Sequence, residues 1–322
     1  MTATRIVLAT IVALGCSAST ALAQTYPDRP IRMIVPFPPG GPVDVTARIV
    51  TQQLAPILGQ PVIVENRGGA SGMIGGKAVA TAEPDGYTLL CGNISSLVVT
   101  PIVNNNRDYD PDRAFAPVAK LSQNYQVLVV APEFGPKTIQ QLIAYAKANP
   151  GKLNFGSAGP GNASHLGAEL FKLKTGVDIV HVPYKGAADA MTGVMGGQVH
   201  MFFGDIAGAM PLIRDGRLRA LAWSSQIRNP ELPEMPTMIE SGVDYVALTY
   251  IGVVAPAATP PAIVQKLNAA INQSLRSPEV VAAARRLTAE IRPASTQEFG
   301  QFLARERAMW AEVVRRSGLA VH

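Results

Sequence analysis

A short β-branched run, a turn crowded with proline and glycine, then an amphipathic stretch: this triplet recurs along the chain and constrains its fold more than any other feature. Its first instance is the strand Ile31–Val35, the turn Pro36-Phe37-Pro38-Pro39-Gly40-Gly41 and a helix over Pro42–Leu58. The same pattern predicts strands at 61–65 and 87–91, a helix at 72–82 and a short helix at 95–103. Strands alternating with helices in this way imply an α/β fold with a largely parallel sheet covered on both faces.

A second series begins at 125–131, a continuous apolar strand, and continues with a helix at 138–149 that Asn149-Pro150-Gly151 stops. Segments 153–156, 178–182, 199–203 and 218–223 read as strands, and 164–175 and 187–196 as helices. A proline-rich stretch at 230–236 leads to an apolar strand around 245–255 and three closing helices, at 261–275, 278–289 and Thr296–Ser317. No motif repeats at a fixed period, which argues against a solenoid. The closing helices have no strands of their own to cover, so they are expected to pack back on the first series. The expected organisation is two α/β lobes joined by two crossings: 24–124 plus 248–322 form one, and 125–247 the other. Ligands of open α/β sheets sit beyond the carboxyl ends of the strands, so two such edges facing each other make a cleft.

The N-terminus points to export. Met1-Thr2-Ala3-Thr4-Arg5 precedes an apolar run from Ile6 to Gly15, and Ala21-Leu22-Ala23 precedes Gln24. A basic start, a short apolar core and an Ala-x-Ala site predict a cleaved signal peptide over residues 1–23 and a periplasmic mature protein. The run is about half the roughly 20 residues a membrane-spanning helix needs. Gly15-Cys16 offers an alternative lipoprotein cleavage site, although Leu14 and Ala13 fit its preceding positions poorly. Losing Arg5 with the signal lowers the formal charge of +5 by one. The remaining basic residues are scattered, without the clustered footprint of a nucleic-acid binder. Of the two cysteines Cys16 leaves with the signal, so Cys91 has no intrachain partner and the fold must rest on its core.

Two glycine-rich turns carry the candidate chemistry. Phe37-Pro38-Pro39-Gly40-Gly41 lies between a strand end and a helix start, where free amides would face an anion under the positive end of the helix dipole. Gly156-Ser157-Ala158-Gly159-Pro160-Gly161-Asn162-Ala163-Ser164-His165 repeats the arrangement, with Ser164 as a natural N-cap. Its glycines fall as G-x-x-G-x-G with no Lys-Ser/Thr following, so it is not a nucleotide loop. A tight strand-to-helix turn alone would also explain each segment. The chain contains no G-x-S-x-G elbow. His165, His181, His200 and His322 show neither H-E-x-x-H spacing nor a cysteine partner for zinc, and no carboxylates pair for acid–base work. The reading is therefore a binding protein rather than an enzyme, with no metal and no cofactor.

Longer motifs resemble a known family. Tyr26-Pro27-Asp28-Arg29-Pro30-Ile31-Arg32 with Val35 to Gly41 and Asp44, Gly59-Gln60-Pro61-Val62-Ile63-Val64-Glu65-Asn66-Arg67, Pro84-Asp85-Gly86-Tyr87, the 156–165 loop, Val182-Pro183-Tyr184-Lys185-Gly186 and Gly216-Arg217-Leu218-Arg219 run in order along the mature chain. They are similar to the Bug/TctC extracytoplasmic receptors of tripartite tricarboxylate transporters. The resemblance implies a type 2 periplasmic binding-protein fold, a monomer that closes on a carboxylated ligand, and membrane permease subunits as partners. Carried onto this chain it points to Phe37, Pro38, Gly40, Gly41 and Asp44 on one side of the cleft. On the other it points to Ser157, Gly159, Gly161, Asn162, Ser164, His165, Tyr184 and Asp205, while Ser95 and Ser96 at the start of the short helix complete the candidate set. Three departures stand out: Asn162 replaces a common Ser or Thr, Phe203-Gly204-Asp205 stands where Phe-Asp-Asn is frequent, and Tyr250 replaces a frequent Trp, adding a hydroxyl to an aromatic wall. C4 dicarboxylates, citrate, acidic amino acids and aromatic acids all offer the same carboxylate handle. A secreted enzyme or a sensor subunit on a similar scaffold are the rival readings.

Overall fold

The computed structural model describes residues 26–105 and 108–319. The signal peptide, its lipoprotein alternative at Cys16 and His322 lie outside them. Among the described residues ten strands form one continuous twisted sheet in the order β2-β1-β3-β9-β4-β7-β5-β6, with β8 and the two-residue β10 (Glu290–Ile291) also paired to β4. The first series supplies β1 (Ile31–Val35), β2 (Val62–Asn66) and β3 (Thr88–Asn93), with β1 parallel to both others. The second supplies β5 (Leu153–Ser157), β6 (Ile179–Pro183) and β7 (Met201–Asp205), again parallel, and β8 (Arg219–Trp223). The middle of the sheet departs from the parallel expectation. There β4 (Phe115–Val130) and β9 (Leu248–Pro256) are antiparallel to each other and to their outer neighbours.

Strand β4 is the link between the two halves. Its 16 residues span about 50 Å if extended. It pairs with β9 as far as Tyr125↔Leu248, and from Gln126↔Asp205 onward it pairs with β7. The sequence pattern predicts this strand only from residue 125, so residues 115–124 extend it. Pro117, Lys120, Ser122, Gln123 and Asn124 break the apolar run there, and the register slips at Pro117/Ala119 and Lys120/Ser122. Such irregularities tolerate proline and re-aim side chains.

Helices α1 (Pro42–Leu58) and α2 (Met73–Ala80) follow β1 and β2. Helix α1 begins with Pro42 at its first position and ends at Gly59, whose φ of 72° lets its N–H reach Ala55 O. Its buried stripe, Val43, Ala47, Val50 and Leu54, keeps the three-to-four spacing of one face. In the second half lie α3 (Ile139–Ala148), α4 (Ala163–Thr175), α5 (Ala187–Met195) and α6 (Ile206–Arg214). Helix α6 has no sequence signature, because it starts directly after β7 and carries Pro211. The closing helices are α7 (Pro261–Ser274), α8 (Pro278–Arg286) and α9 (Thr296–Ser317), the last opened by a reciprocal Ser295–Glu298 capping box. Helices α7 and α8 pack on α1, as expected of chain returning to the first half. Helix α9 also touches α4, so the expectation is incomplete. Its Phe299, Trp310, Val313 and Val314 belong to one apolar cluster with Tyr250 and with Phe171, Phe203 and Tyr245 of the second half.

Candidate functional site

The turn after β1 is braced from within. Gly40 has a φ of +83°, a left-handed conformation that favours glycine, and its N–H donates to Asp44 Oδ2 at 2.9 Å. Asp44 is 2 % exposed and also accepts from Arg48 Nε at 3.0 Å and Asn66 Nδ2 at 2.8 Å. The Arg48 hydrogen bond leads, with Gly40 and Asn66 adding and burial opposing, in pushing its carboxyl down to about 2. Asn66 Nδ2 also donates to Phe37 O at 3.0 Å. Asp44 therefore shapes the turn instead of facing the cleft. Phe37 packs beside Gly72, and Pro38 beside Gly68.

Residues 95–99 form a π-helical turn, a geometry often found at functional sites. Asn93 Oδ1 accepts the Ser95 and Ser96 amides at 3.1 and 3.3 Å. Ser96 is fully buried and its Oγ turns back to Asn93, so of the two serines only Ser95 lines the cleft.

The second loop is also closed on itself. Ala158 N–H donates to Ser164 Oγ at 2.9 Å, Gly159 N–H to Ser157 Oγ at 3.1 Å and Gly161 N–H to His165 Nδ1 at 3.0 Å. The cap of α4 is Asn162, whose Oδ1 accepts the Ser164 amide at 3.0 Å. Ser164, expected to be that cap, is a loop brace two residues into the helix. His165 stacks on His181 with centroids 3.8 Å apart, and His181 Nε2 lies 2.6 Å from Ser157 Oγ. This last contact has the outline of a nucleophile and base, but Ser157 is 0 % exposed. Tyr184 packs over Gly156 and Gly193 with its hydroxyl toward Gln198, away from the cleft.

What remains facing the gap is a cavity of about 420 Å³ between the halves. Val43 and Thr46 of α1, Ser95, Asn124 of β4, Asn162 and Ala163 at the start of α4, Asp205, Thr249, Tyr250 and Arg286 all line it. Its volume suits a small organic ligand. The amides of Val43 and Ala163 lie in the first turns of α1 and α4, and neither has an acceptor among the described residues. Free donors in a first helical turn are an anion-binding feature. In the glycine loops the Gly40, Ala158, Gly159 and Gly161 amides are taken up by neighbouring side chains, which brace the turns that lead into α1 and α4.

Tyr250 also differs from expectation. Its ring meets Phe302 edge-on at 4.8 Å, and its hydroxyl is buried with no partner among the described residues, so it adds no polar group to the cleft wall. Arg286 and Asn124 were missed. Arg286 sits at the C-terminal end of α8, where a basic residue is ordinary, so no local signal marks it. Asn124 was legible as a polar break before an apolar run. A larger cavity of about 730 Å³ lies elsewhere in the second half, around 137–140, 218–221 and 231–236, and holds none of the candidate residues. Among the described residues no cluster of His, Cys, Asp or Glu is arranged to hold a metal, and no helix is long and apolar enough to cross a membrane.

Residues 46–319 match the sequence profile of the tripartite tricarboxylate transporter family receptor. The chain belongs to this receptor family. The receptor is 40 % identical over 320 residues to protein BugT of Bordetella pertussis, covering 99 % of this chain and 98 % of that one. Among solved structures it resembles a protein of R. palustris with adipate, at 33 % identity and a TM-score of 0.74 over 92 % of this chain and 99 % of the other. It also resembles MatC of Rhodopseudomonas palustris with bound malate, at 33 % identity and a TM-score of 0.72 over 90 % and 100 % of the two chains. The fold is thus that of a periplasmic binding protein, and the receptor is a solute-binding protein of the Bug/TctC type.

Proposed function

We propose that this receptor captures a small carboxylated anion in the 420 Å³ cavity and delivers it to the permease subunits of a tripartite tricarboxylate-type transporter. The observation that carries the proposal is the pair of unpaired amides, Val43 and Ala163, that two helix N-termini bring to one cavity. Each offers a charge-assisted hydrogen bond to a carboxylate, about twice as strong as a neutral one. Relatives solved with adipate and malate support the ligand class. The lobes are 24–124 plus 248–322 and 125–247, and they close about the two strands that cross between them. The protein works as a periplasmic monomer after removal of residues 1–23 and performs no catalysis.

A thermal-shift screen of mono-, di- and tricarboxylates on the mature protein tests the ligand class. A ligand at 100 times its Kd adds about 2.7 kcal/mol of stability. The expected outcome is a clear rise in Tm with at least one acid and none with the matching amides. A panel with no stabilising acid contradicts the proposal.

A further inference from the structure

Two charged side chains line the ligand cavity, Asp205 and Arg286, and they come from opposite halves of the molecule. Asp205 ends β7 and stands at the N-cap of α6, where an aspartate ordinarily folds back to accept an amide of the first turn. Here it makes no such bond. Its side chain is exposed to the cavity, with the Thr249 hydroxyl as its one polar partner and no cation paired to it among the described residues. Arg286, at the end of α8, has neither a hydrogen bond nor an ion pair among the described residues. The protein walls around Asp205 push its carboxyl above the usual carboxylate range, with Thr249 pulling the other way.

An unpaired carboxylate in a cavity built to attract carboxylates is unfavourable unless the ligand answers it. Like charges held close in a partly desolvated space repel. A ligand carrying only carboxylates would meet that repulsion, whereas one with a hydroxyl or ammonium beside a carboxylate would give Asp205 a donor. Arg286 presents a planar fork suited to a second carboxylate. We propose that Asp205 reads a hydrogen-bond donor on the ligand, so that the receptor prefers hydroxy- or amino-substituted dicarboxylates over unsubstituted ones. This inference rests on the carboxylate reading above and narrows it.

Calorimetric titration with succinate, malate and aspartate tests it, since the three share one carbon chain and differ by H, OH or NH₃⁺. The series glutarate, 2-hydroxyglutarate and glutamate repeats the comparison one carbon longer. In the wild type at least one donor-bearing member binds tenfold or more tighter than its unsubstituted parent. In Asp205→Ala, which removes the acceptor, that ratio falls to within about twofold. Because the readout is a ratio within one protein, a general loss of folding or closure does not mimic it. A malate-type preference assigns the donor to hydroxyl, and an aspartate-type preference to ammonium. Equal affinities within both wild-type series, or an unchanged ratio in Asp205→Ala, overturn the inference while leaving the carboxylate reading intact. A folded protein that binds none of the six acids but is stabilised by another carboxylate overturns this inference alone, and one that binds no carboxylate overturns both.

Discussion

Protonating His165 would set two N–H groups against each other, because its Nδ1 is the acceptor of the Gly161 amide at 3.0 Å. The neutral ring therefore carries its proton on Nε2, which lies 3.8 Å from Glu169 Oε1. Around it stand His181 on β6, Ser157 and Phe155 on β5, and Glu169 with Lys172 on its own helix. Burial, with lesser contributions from His181 and Lys172, pushes its pKa down to about 4. The unfolded chain, with histidine near 6.5, then binds more protons between those values. Stability is fully present above about 6.5 and is lost as pH falls toward 4, by on the order of 3 kcal/mol over that window. Glu306, pushed up to about 7 chiefly by burial, works in the opposite direction from about 4.5 to 7. The informative quantity is thus the difference between proteins. His165→Asn keeps an acceptor near Nδ1 without titrating, so its Tm should fall less than that of the wild type between pH 7 and pH 5; parallel falls would contradict this role. At Tyr250 the prediction concerns a buried hydroxyl with no partner among the described residues. Tyr250→Phe should raise stability by about 1 kcal/mol in denaturant unfolding, the lower end of what such a group costs. A loss of stability would mean that the hydroxyl has a partner. Asn162 and Ser164 show why caps are hard to place by sequence. Both are good cap residues, and the choice depends on how Gly161, at φ +70°, turns the chain into α4.

Helix α1 allows the cleft to be tested apart from the fold. Its cap, Gly41, has an ordinary φ of −75°, and a Cβ there would meet nothing closer than Pro38 O at 3.7 Å. Gly41→Val should therefore lower apo stability by no more than about 1 kcal/mol, the scale of a poorer cap. The same side chain stands beside Pro42 and Val43 at the cavity wall and should weaken ligand binding at least tenfold by calorimetry. Wild-type affinity in this variant would make the first turn a connector only. Most elements were legible from periodicity, because their buried faces repeat at strand or helix spacing. Two elements escape the pattern, each for its own reason. Residues 115–124 of β4 carry polar side chains toward the cleft and the neighbouring helices, so the strand does not read as an apolar run. Helix α6 follows β7 without a loop and contains Pro211, so it shows neither the usual start nor an unbroken pattern.

The whole molecule is a sheet whose two halves share β4, backed by an apolar cluster that runs through both. Gln126, where β4 changes partners, is 3 % exposed and tied to the backbone on both sides. Its amide donates to Ser224 Oγ at 2.7 Å, its side chain donates to Ala163 O at 2.8 Å, and Ser224 Oγ in turn donates to Ala247 O. The joint is thereby linked directly to the first residue of α4, one of the two cavity amides. The family was legible from motifs that keep their order along the chain. The cavity was less so, because it joins residues as distant as Val43, Ala163, Asp205 and Arg286, and no local pattern reports which of them will meet. The central claim is that a ligand carboxylate is held between the Val43 and Ala163 amides. The most direct measurement is calorimetric titration of the tightest-binding acid against its own primary amide, under identical conditions. The account predicts that the amide binds at least a hundredfold more weakly, because it loses the charge that both helix N-termini attract. Equal affinity for the acid and the amide would contradict it.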